Sequence, residues 1–174
     1  MLAGIMLLAW LGSPPISPAI GKQLPRIDLA PLVNTSTENV ATGFQGKLLV
    51  LYLWGPWNSA SRSGVRKIGE IAQRFEENPR IHVVLVACPE NILEPDDLRR
   101  VTQEALNDAE LQMPVYYDPN GQTNMELALL MPYGSLGFPT TIVADESGKV
   151  VRVIEGESEA EFAELQEFLI EYGR

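Results

Sequence analysis

Few side chains in this sequence have chemistry to offer. The 174-residue chain carries one cysteine, Cys88, and one histidine, His82. A lone thiol admits exchange or peroxide chemistry, with the thiolate as the reacting form. It cannot close an intrachain disulfide, and one cysteine with one histidine cannot furnish a protein zinc site. Cys88 and a nearby acid, Glu90, follow the apolar run Ile81 to Ala87, which reads as a buried strand. Ligands of open α/β sheets gather at the carboxyl ends of strands. Cys88 is therefore a candidate lone nucleophile, with Glu90 in the same loop. The competing readings are a small buried strand-end residue and a solvated loop acid. His82 sits inside the strand run, away from any nucleophile elbow, so no Ser-His-acid triad is assembled. No Gly-rich phosphate loop is present, and no cofactor is expected.

The element that would position such chemistry spans residues 47–66. Leu48 to Trp54 is continuously apolar, as in a strand buried on both faces of a parallel sheet. Gly55 and Pro56 break it. Polar residues follow (Asn58, Ser59, Ser61), and then Val65, Ile68, Ile71, Ala72 and Phe75 recur at helical spacing. Asn58 or Ser59 suits the helix N-cap. A helix N-terminus gathers unpaired N–H groups and partial positive charge, a frequent setting for catalysis.

These residues resemble the active-site segment of thioredoxin-like proteins, in particular the exported thiol–disulfide oxidoreductases of the TlpA/ResA type. That family reads Trp-Ala-x-Trp-Cys-x-x-Cys-Arg after its apolar strand. Trp54, Trp57 and Arg62 fall in register, while Asn58 and Ser61 hold the two cysteine positions. A second stretch, Tyr133-Gly134-Ser135-Leu136-Gly137-Phe138-Pro139-Thr140-Thr141, is similar to the family's Tyr-Gly-Val-x-Gly-x-Pro-Thr-Thr. The resemblance covers about residues 24–172. It implies a cis peptide at Pro139 facing the helix N-terminus, and a peptide-binding groove at Trp57, Phe138, Pro139 and Thr140. It also implies a carboxylate at Glu90. Dithiol exchange needs a nucleophilic and a resolving thiol, and neither an amide nor a hydroxyl can form a disulfide. The family's usual reaction is thus not expected. The function read here is a redox-inactive peptide- or protein-binding or assembly module. The alternative is a single-cysteine oxidoreductase or peroxidase-like enzyme using Cys88.

Composition sets bounds on this reading. Thirteen Lys plus Arg against 23 Asp plus Glu give a net charge of −10, which argues against nucleic acid or an anionic membrane surface as partner. Metal is not expected either. The expected partner is an extended or unfolded peptide or a partner protein. Leu2 to Leu11 is apolar apart from Gly4, too short to span a bilayer, and suits a signal-peptide core ending near Ser17-Pro18-Ala19. Export to a periplasmic or extracytoplasmic location is expected. Membrane association is expected only through this segment if it stays uncleaved.

The domain reading is a signal peptide or hydrophobic tail over residues 1–19, a lead-in over 20–46, and a thioredoxin-like domain over 47–174. The predicted order is a short edge strand within Leu24–Leu29, the strand and helix above, and the strand Ile81–Ala87. A helix from Pro95, a strand Met113–Tyr117 and a short helix Met125–Leu130 follow, then a hairpin with its last strand Val150–Ile154, and a final amphipathic helix. That order defines an α/β fold: a central mixed sheet of about five strands with helices on both faces.

Overall fold

A computed structural model describes residues 17–35, 46–90 and 95–174. The expected signal-peptide core lies outside them. Six strands form one mixed sheet: β1 (Ala30–Val33), β2 (Leu48–Trp54), β3 (Ile81–Ala87), β4 (Val115–Tyr117), β5 (Thr140–Ala144) and β6 (Val150–Glu155). Their spatial order is β1-β4-β3-β2-β5-β6. β2 runs parallel to β3, and β3 to β4, while β1, β5 and β6 run antiparallel to their neighbours. The helices are α1 (Ser59–Phe75), α2 (Pro95–Asp108), α3 (Gln122–Ala128) and α4 (Glu159–Tyr172).

The sheet has six strands rather than about five, and its first strand is not where the sequence pointed. Residues 24–29 are irregular, and the edge strand forms at Ala30–Val33 against β4. Pro31 lies inside it. A proline lacking its N–H is tolerated there because an edge strand leaves one side unpaired. Ile27 and Leu29 are buried nonetheless, which explains why the stretch resembles a strand.

All seven residues of β2 are buried, consistent with its unbroken apolar run at the centre of the sheet. Alternation divides them between two faces. Leu48, Val50, Tyr52 and Trp54 pack with Val65 and Ile68 of α1 and Phe162, Leu165 and Leu169 of α4. Leu49, Leu51 and Leu53 pack on the other face with Leu127 of α3, Met131, Ala19 and the lead-in residues Ile27 and Leu29. Fully burying one such aliphatic side chain contributes about 1.5–3 kcal/mol. β2 is therefore a rigid base for whatever follows Trp54.

The lead-in also joins the fold through main-chain bonds. The Gly21 amide donates to the Val150 carbonyl at 2.8 Å, the Val150 amide to Lys22 at 2.9 Å, and the Leu24 amide to Gly148 at 2.8 Å. Among the described residues no helix is long and apolar enough to cross a membrane.

Candidate functional site

Three segments meet at one end of the sheet, and strand register brings them there. Trp54 pairs with Ala87, so Gly55 lies beside Cys88. Leu53 pairs with Thr140, which places Pro139 across from Trp54 and the Gly55–Asn58 turn. The Phe138–Pro139 peptide is cis.

The two positions matched to cysteines are both absorbed into local structure. Asn58 is the N-cap of α1, and its Oδ1 accepts from the amides of Ala60 at 2.8 Å and Ser61 at 3.4 Å. This satisfies donors that a helix start leaves orphaned. Ser61 is fully buried, and its Oγ accepts the Gly55 amide at 3.3 Å, tying the first helical turn to the end of β2. Arg62 reinforces the turn, donating from Nε to the Pro56 carbonyl at 2.6 Å. Among the described residues neither the Asn58 nor the Ser61 side chain is hydrogen-bonded to a base that would make it a nucleophile.

Trp57 and Cys88 are brought together, although not for thiol chemistry. The indole Nε1–H of Trp57 donates to the Cys88 carbonyl at 3.0 Å, and the ring lies flush over Gly55. A Cβ at Gly55 would come within 2.8 Å of the indole, so a residue without a side chain is required there. Cys88 itself is fully buried. Its amide donates to the Trp54 carbonyl at 2.8 Å, and its Sγ lies 3.8 Å from Oδ1 of Asn124. Burial pushes the thiol far above its ordinary pKa, against the smaller pull of these bonds. A thiol held protonated and out of reach is a poor nucleophile, which counts against the single-cysteine reading. Glu90 is exposed in the loop beyond. His82 is half-buried rather than fully buried; burial and the neighbouring Lys47 lower its pKa.

The proline loop completes the site. Pro139 and Thr140 are buried and Phe138 half-buried. The Thr140 hydroxyl donates to the Gly137 carbonyl at 2.8 Å, and the Gly156 amide to the Pro139 carbonyl at 2.8 Å. Both polar main-chain groups of Phe138 are without a hydrogen-bond partner among the described residues. Trp57 is 37% exposed on this end of the molecule. Tyr133 is fully exposed where the chain enters the loop; Met125 on α3 is 60% exposed and Leu129, just past its end, 68%. The candidate peptide-contact residues thus include a partly exposed indole and a backbone with unused hydrogen-bonding groups.

Beneath the site lies a pair that sequence reading missed. The Tyr52 hydroxyl donates to Oε1 of Glu157 at 3.0 Å and lies 3.4 Å from the Ser61 carbonyl. Gly64 makes the room, since a methyl there would overlap the Glu157 carboxylate. Oε2 of Glu157 is buried without a partner, as is Nε1 of Trp54. Burial raises the Glu157 pKa, and burial together with the Glu157 charge raises that of Tyr52. The hydroxyl inside an otherwise apolar strand was the one available signal for Tyr52; nothing in the sequence marked Glu157. No cluster of His, Cys, Asp or Glu able to hold a metal occurs among the described residues.

The fold and this end of the sheet define a thioredoxin-like protein. No protein-family model matches the chain. It is 26% identical over 150 residues to the thiol-disulfide oxidoreductase ResA of Bacillus thuringiensis subsp. konkukian, covering 86% of this chain and 76% of the relative. Its fold matches the thioredoxin domain of a thiol-disulfide oxidoreductase from Bacteroides vulgatus with a TM-score of 0.64 at 18% identity, covering 86% of this chain and 97% of that one. The exposed lipoprotein thioredoxin of Streptococcus pneumoniae gives a TM-score of 0.60 at 25% identity, covering 82% and 98%. Within the thioredoxin-like class, the chain therefore resembles the ResA-type thiol–disulfide oxidoreductases.

Proposed function

We propose that this protein is an exported thioredoxin-like module that binds extended peptide or a partner protein and carries out no dithiol–disulfide exchange. The observation that carries this reading is the use of Asn58 and Ser61 as cap and tether, beside a Phe138 backbone with both polar groups open. An extended segment adds main-chain hydrogen bonds to such a backbone, and neighbouring apolar side chains select its residues. Trp57, Phe138, Pro139 and Thr140 are the contact residues. Tyr133, exposed where the chain enters the proline loop, offers apolar contact to such a segment. Export is supported by the apolar Leu2–Leu11 stretch and by likeness to a lipoprotein described as exposed.

The test is titration of the protein with a reduced, carboxymethylated unfolded protein, followed by intrinsic tryptophan fluorescence and calorimetry. Saturable binding that is lost in Trp57→Ala and in Phe138→Ala is expected. Absence of binding, or binding untouched by both substitutions, would sink the groove.

A further inference from the structure

A second surface lies along the open edge of β6, whose far end reaches the proline loop through the Gly156 bond to Pro139. The alternation of antiparallel pairing directs the Gly156 amide toward Pro139 of the neighbouring strand, so Ile154 faces inward and Val153 and Glu155 turn their amides and carbonyls outward. Among the described residues only the start of this edge is covered, where Val150 bonds to Gly21 and Lys22. From Val151 onward the edge has no strand partner among the described residues.

Beside the edge runs a shallow groove of about 330 Å³ between Ile20, Val151, Val153 and Phe168. It continues into a second of about 250 Å³ along the same helix, where Arg152 stacks over Phe168 at 4.6 Å from the ring centre. Four carboxylates line the far wall: Glu161, Glu164, Glu167 and Glu171, at spacings that place them along one side of α4. The helix contains no Lys or Arg. None of the four is in an ion pair among the described residues, whereas Glu159 at the helix start is held by Lys67.

We infer that the β6 edge is a docking site for an extended, basic segment of a partner protein, added as a seventh strand with its Lys or Arg side chains against the α4 carboxylates. Three observations combine. The backbone offers unpaired donors and acceptors, the groove offers apolar contact for alternate side chains, and four carboxylates face one groove cation, Arg152, leaving the wall negative. Charge also argues against a second copy as the occupant. Two β6 edges pairing would bring two acidic helices and two Glu155 side chains together, and such charges guard an edge against self-association.

The test uses the purified protein and a capped peptide alternating lysine and valine over about eight residues, a usual strand length. Amide chemical shifts should change in a saturable way at residues 151–156 and along α4. Affinity should fall about tenfold on raising ionic strength from about 0.02 M to about 0.5 M, because exposed charge pairs are screened. The Glu164→Lys, Glu167→Lys double variant, altered only on the helix surface, should lose binding while keeping the parent spectrum elsewhere. A peptide with glutamate in place of lysine should not bind. The inference is overturned by absence of saturable binding, by equal binding of the glutamate peptide, by shifts centred on Phe138 instead, or by concentration-dependent pairing of the protein at β6 without peptide.

Discussion

The indole of Trp57 donates to the carbonyl of Cys88 at 3.0 Å, joining the turn after β2 to the end of β3. The bond makes Trp57 a clamp across the two central strands, with its ring held against Gly55 and its outer side exposed. Cys88 beneath is sealed on all sides.

Cys88 should therefore be inert while the protein is folded. Iodoacetamide at pH 8 should label it at a rate that tracks unfolding, increasing with urea, because only the opened chain exposes a thiol of ordinary acidity. Trp57→Phe keeps the ring and removes the donor, leaving a buried carbonyl unpaired at a cost of about 1–3 kcal/mol. It should speed labelling in proportion. Fast alkylation of the parent in the absence of urea would contradict the burial described.

Asn58 should act as a cap and not as a reactive group. Asn58→Ala removes the acceptor for Ala60 and Ser61 and should lower stability by about 1 kcal/mol, read as a shift in the urea midpoint. Asn58→Asp retains the cap, adds negative charge at a helix N-terminus, and should match or exceed the parent.

Introducing cysteines at both positions should confer dithiol exchange on the protein. With dithiothreitol as electron source, the parent and Cys88→Ser should both fail to reduce insulin. Asn58→Cys with Ser61→Cys should reduce it, since the thiols would then sit at the helix N-terminus opposite Pro139. Activity in the parent that disappears with Cys88→Ser would reverse the reading and make Cys88 the nucleophile.

The Tyr52–Glu157 pair should leave a signature in the pH dependence of stability. Glu157 has a folded-state pKa raised chiefly by burial, so its protonated form is the one folding favours. Stability from this group is present at low pH and declines as pH rises from the ordinary carboxylate value through the raised folded value. Urea midpoints across pH 4–8 should show this decline in the parent relative to Glu157→Gln. Asp145 and Glu146, whose pKa values are lowered by hydrogen bonds from Ser147 and Tyr172, act in the opposite sense below that window and cancel in the comparison. Gly64→Ala should displace the carboxylate, because the new methyl would occupy its place, and so should flatten the same profile.

Glu110 closes α2 at a φ of 59°, a left-handed conformation that suits glycine. Its amide donates to the Asn107 carbonyl at 3.0 Å, and that of Leu111 to the Leu106 carbonyl at 2.9 Å, so the helix end has its bonds in place and the cost is a backbone conformation that a Cβ disfavours. Glu110→Gly should be stabilising by up to about 1 kcal/mol in urea melts, and Glu110→Val clearly destabilising.

Much of this protein was legible in its sequence because it depends on local pattern. The unbroken apolar run of β2, the helical spacing in α1 and α4, and the Gly-Pro break after β2 each define an element from a few neighbouring residues. Asn58 was legible as a cap for the same reason, since its acceptor reaches amides two and three residues away. The edge strand was misplaced by a few residues, because edge pairing depends on β4, 85 residues beyond Ala30, and not on the apolar pattern of 24–29. The tertiary structure alone decided that Cys88 is sealed, that Trp57 clamps its carbonyl, and that Glu157 reaches Tyr52 through the gap at Gly64. Those outcomes join residues 31 to 105 positions apart. Burial and partnership across such separations follow from how the helices pack on the sheet, which local sequence pattern does not specify.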